Sequence, residues 1–75
     1  MKYLEQLPKG TKAEICGIGG TPHFQSRAVS IGLIPGSVVE ILLNQSRRPM
    51  LLYCRNTVLA IDRDDCKKIQ VEVIV

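Results

Sequence analysis

Apolar and polar positions alternate with a period of two along Thr11-Lys12-Ala13-Glu14-Ile15-Cys16-Gly17-Ile18. Ala13, Ile15 and Gly17 fall on one side and Lys12, Glu14 and Cys16 on the other, which predicts a half-buried strand. Gly19-Gly20 stops it. The period then lengthens. Thr21 can cap free backbone N–H groups, and Pro22 is pre-set for a first helical position. Phe24, Ala28 and Ile31 recur at i, i+4 and i+7, so the spacing predicts a short helix over 22–31 with those three on its core face. Gly32 suits the left-handed residue that closes such a helix.

Pro35-Gly36 at the centre of the next segment predicts a type II turn, in which glycine takes the positive φ. Residues 37–43 are apolar and rich in β-branched side chains, as a strand requires. Residues 44–49 are polar and basic and read as a loop. Residues 50–55 form another strand, with Met50, Leu52 and Cys54 inward and Leu51 and Tyr53 outward. Asn56-Thr57 is the expected tight turn, and residues 58–61 return as the partner strand. Asp62 is expected to cap a helical turn through Lys68, with acids at its start and Lys67-Lys68 at its end, as the helix dipole favours. Residues 69–75 alternate again, placing Val71, Val73 and Val75 inward and Ile74 outward. The pattern predicts a mostly β chain: about five short strands, one helix after the first and a helical turn before the last. Small all-β chains remove exposed strand edges by closing into a barrel, which is the expected architecture.

Composition narrows the function. The chain has 75 residues, 45% hydrophobic and 23% charged, which fits one globular domain over 1–75. A domain this small has little volume for a deep active site, and the single histidine, His23, has no nucleophile or orienting partner in evidence. No enzymatic activity is expected. No apolar run approaches the ~18 residues of a membrane span, and Glu5 and Gln6 break any signal-peptide apolar region. Three cysteines, Cys16, Cys54 and Cys66, are an odd number without C-x-x-C spacing. They fit reduced thiols in a cytoplasmic protein.

The net charge is +3, and its positive residues are dispersed; only Arg47-Arg48 and Lys67-Lys68 are adjacent. Single-strand nucleic-acid binders add several stacking aromatics, whereas Tyr3, Phe24 and Tyr53 are all this chain has. A nucleic-acid partner is therefore not expected. Cys16, His23, Cys54 and Cys66 would sum to a Cys3His set, but structural zinc ligands come in close pairs and these do not. Asp62, Asp64 and Asp65 lack the loop of an EF-hand, and their simpler account is helix capping. Gly17-x-Gly19-x-x-Pro22 lacks the parallel βαβ unit that a dinucleotide fingerprint needs.

Arg27-Ala28-Val29-Ser30-Ile31-Gly32-Leu33-Ile34-Pro35-Gly36 resembles the R-x-x-x-[LI]-G-L-x-P-G signature of the FeoA family, small accessory proteins of bacterial ferrous-iron transport. Leu4 to Gly10 resembles the family's leading L-x-x-L-x-x-G segment, Ile18-Gly19-Gly20 its I-G-G turn, and Leu59-Ala60-Ile61 its closing segment. Asn56 stands where the family usually has glycine; asparagine also tolerates positive φ. The cysteines are not part of the pattern.

The resemblance implies an SH3-like β-barrel in which Gly19, Gly20, Gly32, Leu33, Pro35 and Gly36 are structural, with Leu33 plugging the barrel. It implies a non-catalytic cytosolic protein that docks on the GTPase portion of the transporter FeoB, regulates it, and is recruited through it to the inner face of the membrane. The outward residues Leu51, Tyr53 and Arg55 are the expected contact, with Arg47 and Arg48 steering toward acidic surface. Arg27, Arg47 and Arg48 are candidates for an arginine finger. No resident cofactor is expected. The alternative is a small iron or zinc sensor or carrier using Cys16, His23 and Cys66, and a nucleic-acid-binding barrel ranks below it.

Overall fold

The structure is a computed structural model that describes residues 2–74. It contains β1 (Lys2–Tyr3), a 3-10 turn (Leu4–Gln6), β2 (Lys12–Ile18), α1 (Pro22–Ser30), β3 (Val38–Leu43), β4 (Met50–Cys54), β5 (Thr57–Ile61), α2 (Arg63–Cys66) and β6 (Ile69–Val73). All pairings are antiparallel, in the order β1-β6-β2-β3-β4-β5. The nearly equal extents of 29 × 26 × 25 Å mean that this sheet is rolled rather than flat. Its inner face holds one core, including Ile15, Leu33, Ile41, Met50, Leu52 and Ile69.

The alternation in the sequence survives in the burial. Ala13 and Ile15 are buried while Lys12, Glu14 and Cys16 are exposed, and Met50, Leu52 and Cys54 are buried beneath β4. A bulge lies between Ile15 and Gly17, where β2 shifts register against β6, and a second lies between Ile41 and Leu43. Bulges bend strands, which suits a sheet that must roll up in few residues.

Several expectations change. There are six strands, because Lys2 and Tyr3 pair with Val71 and Gln70 of β6; two residues carry no period to read. Among the described residues the sheet keeps two edges, β1 and β5, each with one hydrogen-bonded neighbour. α2 rests on the 3-10 turn that follows β1. A polar tie holds that end: Asn44 donates to the Glu5 and Leu7 carbonyls at 3.2 and 2.7 Å, and Arg63 Nη2 donates to Asn44 Oδ1 at 2.6 Å. Val73 is 44% exposed, since β1 reaches only to Val71 along β6 among the described residues. Val75 lies outside the described residues. Asp62 precedes α2, but its side chain makes no capping bond.

The hairpin turn is one residue earlier than expected. Cys54 pairs with Thr57, and Arg55 and Asn56 form the two-residue turn with φ of 52° and 63°. Two positive φ values are the mark of a type I′ turn, whose twist matches that of the flanking strands.

Candidate docking surfaces

The corner at the end of α1 is tightly determined. Thr21 Oγ1 accepts from the Phe24 N–H at 3.2 Å, and Pro22 fills the first helical position. Phe24 and Ala28 are buried on one face of α1. Ile31 does not join them. The chain leaves the helix there, with φ −95° and ψ 4°, and Ile31 is 47% exposed. Gly32 N–H donates to the Val29 carbonyl and Leu33 N–H to the Ala28 carbonyl, at 3.0 and 2.9 Å. These are the two bonds of a Schellman closure, which needs the positive φ of 94° that Gly32 supplies. Leu33 turns inward and is buried. Ser37 N–H then donates to the Ile34 carbonyl at 3.0 Å across Pro35-Gly36, as in the type II turn the sequence predicts.

Arg55 is bound into this corner. Its Nη2 donates to Ser37 Oγ at 3.2 Å, and Ser37 Oγ donates to the Gly32 carbonyl at 3.2 Å. A cation beside the last carbonyls of α1 also opposes the negative end of the helix dipole. Ser37 is almost fully buried, so this bond satisfies a hydroxyl that would otherwise be costly to hide. Nothing in the spacing of Ser37 and Arg55 signals the contact.

The expected contact residues divide between two places. Tyr53 is 41% exposed, its hydroxyl donating to Asn56 Oδ1 at 2.9 Å. It shares a shallow depression of about 260 Å³ with Arg55, Val38 and Lys12. Leu51 is half-buried on the same strand. Arg47 and Arg48 are exposed in the β3–β4 loop and border a different depression, together with Asp62, Asp64 and Asp65. Those carboxylates offset the steering charge expected of the two arginines. Arg27 is exposed on α1.

The metal candidates are not gathered. Cys16 is exposed on β2, His23 is exposed on α1, and Cys54 and Cys66 are buried. No group of three or more metal-ligating side chains forms among the described residues. Burial pushes the Cys66 thiol up to about 12, with Arg63 opposing the rise and Asp65, Glu5 and Asp62 adding to it. A thiol held neutral is a poor metal ligand and nucleophile. Asp64 and Asp65 instead face Lys67 and Lys68, each at 3.5 Å.

Sequence reasoning missed an apolar groove. A groove of about 400 Å³ separates α1 from β5, with Phe24, Ala28 and Ile31 on one wall and Leu59, Ala60 and Ile61 on the other. Arg27 sits on its rim, and Asp62 and Asp65 close one end. The available signal was Ile31. It falls on the residue before the helix-closing glycine, where a helical period no longer predicts burial.

The FeoA domain family model matches residues 2–73. The chain belongs to the FeoA family. FeoA proteins are small accessory proteins of ferrous-iron transport. No curated protein matches the chain. Among solved structures, an iron uptake regulatory protein (FeoA) is similar at 22% identity and a TM-score of 0.93, over 97% of both chains. FeoA from Chlorobium tepidum is similar at 22% identity and a TM-score of 0.89, over 99% of this chain and 71% of that one. Stenotrophomonas maltophilia FeoA, solved with zinc and described as a prokaryotic SH3 domain protein, is similar at 19% identity and a TM-score of 0.83, over 96% and 91% of the two chains. The fold is therefore the SH3-like barrel of FeoA proteins. No helix among the described residues is long and apolar enough to cross a membrane.

Proposed function

We propose that the chain is a non-catalytic accessory of ferrous-iron uptake that acts in the cytoplasm by docking on the GTPase portion of the FeoB transporter. The family match over residues 2–73 carries this reading. The contact is the face that presents Tyr53 and Val38 with the cations Lys12 and Arg55 beside them. An aromatic ring beside positive charge fits an acidic protein surface. Leu51 borders the contact, and Arg47 and Arg48 serve it only at long range. No resident metal takes part.

Calorimetry with the transporter's cytoplasmic GTPase domain tests this, with GDP and with a GTP analogue, in metal-free buffer and then with iron(II). Docking predicts saturable binding without metal, and its loss in a folded Tyr53→Asp variant. Unchanged affinity in that variant rejects the contact surface. Wild-type protein that never binds rejects docking on that domain, and binding only with iron(II) favours metal sensing.

A further inference from the structure

We propose that the groove between α1 and β5 receives an extended peptide segment of another protein, added as an antiparallel strand to the free edge of β5. This stands apart from the docking reading. It uses none of Tyr53, Val38 and Lys12, shares only Arg55 with that surface, and its test needs no transporter.

The register of the β4–β5 hairpin shows which backbone groups are open. A two-residue turn makes the flanking pair, Cys54 and Thr57, a hydrogen-bonded pair. Alternation then makes Leu52–Leu59 and Met50–Ile61 hydrogen-bonded as well, while Tyr53–Val58 and Leu51–Ala60 are not. The N–H and C=O groups of Val58 and Ala60 therefore point away from β4, and β5 has no second neighbour among the described residues. Four main-chain groups stand ready to pair with a guest strand.

Protected edges are short, charged or interrupted by proline. β5 is five residues, Thr-Val-Leu-Ala-Ile, with neither charge nor proline. Val58 is 56% exposed. Across the groove, Ala28 and Ile31 offer apolar cover for alternate side chains of the guest. A strand edge facing a helix across an apolar groove is the geometry of peptide recognition by strand addition.

Charge selects the occupant and its direction. Arg55 leads into β5, and Arg27 lies on the groove rim, while Asp62 closes the far end beside Asp65, whose carboxylate already faces Lys68 at 3.5 Å. A guest antiparallel to β5 enters at the aspartates and leaves toward Arg55. The fitting segment has a basic residue first, then alternating apolar residues, then an acidic residue. A second copy of the chain fits less well. Its β5 would bring its own β4 along on the far side, into the space α1 occupies, whereas a lone peptide has a free outer edge.

The test is selection of short random peptides displayed on phage against the full chain, followed by titration of the best binder into isotope-labelled protein. We expect enriched sequences with the base-first, acid-last pattern. On binding, the Val58 and Ala60 amides shift and gain protection from hydrogen exchange. Ala60→Pro removes an N–H the guest needs, at an edge position where proline is tolerated, and weakens binding about tenfold or more. Ile31→Asp, on an exposed side chain, does the same from the helix wall and decides the matter if the proline variant fails to fold. Exchanging the terminal charges of the peptide weakens binding several-fold at low salt. No enrichment over bare support, shifts that avoid Val58 and Ala60, or wild-type affinity in the folded variants overturns the proposal. So does concentration-dependent dimerisation that protects Val58 and Ala60 without peptide, which would give the edge to a second copy.

Discussion

The Tyr53 face and the α1–β5 groove flank the same hairpin and treat their polar groups in opposite ways. On the Tyr53 face, Tyr53, Asn56 and Arg55 already have side-chain partners. Tyr53 bonds to Asn56, and Arg55 reaches through Ser37 to the end of α1. In the groove, the side chains are largely apolar, and main-chain groups stand open along the adjoining β5 edge at Val58 and Ala60. An exposed arginine or tyrosine is thus not by itself a free one. Arg55 holds the corner of the fold as well as bordering the proposed contact, so removing it tests stability before it tests binding.

Leu33 separates the two surfaces most sharply. It is buried, lines the floor of the groove, and follows the glycine that closes α1. Leu33→Ala should cost about 2–5 kcal/mol, read from urea unfolding, through lost burial and the cavity left behind. Peptide binding in the groove should fall with it, while binding at Tyr53 persists in whatever fraction stays folded. A cost below about 1 kcal/mol would mean that the corner collapses around alanine and that Leu33 is no plug.

Gly32→Ala comes next. Its space is open enough, since a Cβ would meet only Arg55 Cδ, at 3.7 Å. The cost is conformational: a non-glycine residue in the left-handed region loses roughly 1–2 kcal/mol. If alanine there proves neutral in denaturant melts, the Schellman closure is not what fixes the angle between α1 and the turn after it.

How far the sequence could be read follows the same division. Strands whose alternate residues face the core were legible, because burial writes a period of two into β2 and β4. The signature corner was legible because its turns demand glycine and proline at fixed places. Ile31 was misplaced because a helical period was extended one residue past the end of the helix. The hairpin turn was misplaced because Arg55, a residue with no turn preference, takes a positive φ beside Asn56. The groove was invisible for a further reason: it is made by α1 and β5, distant in sequence, and its open groups are backbone, which every sequence carries alike.

A double-mutant cycle sharpens the claim about Arg55. Ser37→Ala leaves the Gly32 carbonyl without its hydroxyl donor, and should cost about 1–2 kcal/mol at so buried a site. Arg55→Ala should cost less, because the guanidinium is exposed and its bond competes with water. Their coupling should be near 0.5 kcal/mol. Additive losses would make the Arg55–Ser37 bond incidental, freeing Arg55 for the contact alone.

The smallest effect uses the buried thiols as reporters beneath the two surfaces. Cys54 lies under β4 on the Tyr53 side, and Cys66 ends α2 beside the acidic end of the groove. At neutral pH an aromatic disulfide reagent should titrate exposed Cys16 at once, and Cys54 and Cys66 only on opening. Burial raises the folded pKa of Cys66 to about 12 from an ordinary 9.0. The folded state therefore holds this proton more tightly than the unfolded chain. Stability from the neutral thiol is complete below pH 9 and is lost as pH rises toward 12. Urea melts across that range should fall more steeply for the wild type than for Cys66→Ala, whose cavity cost does not depend on pH. Parallel slopes would mean that Cys66 ionises without unfolding, and that the groove's acidic end is open to water.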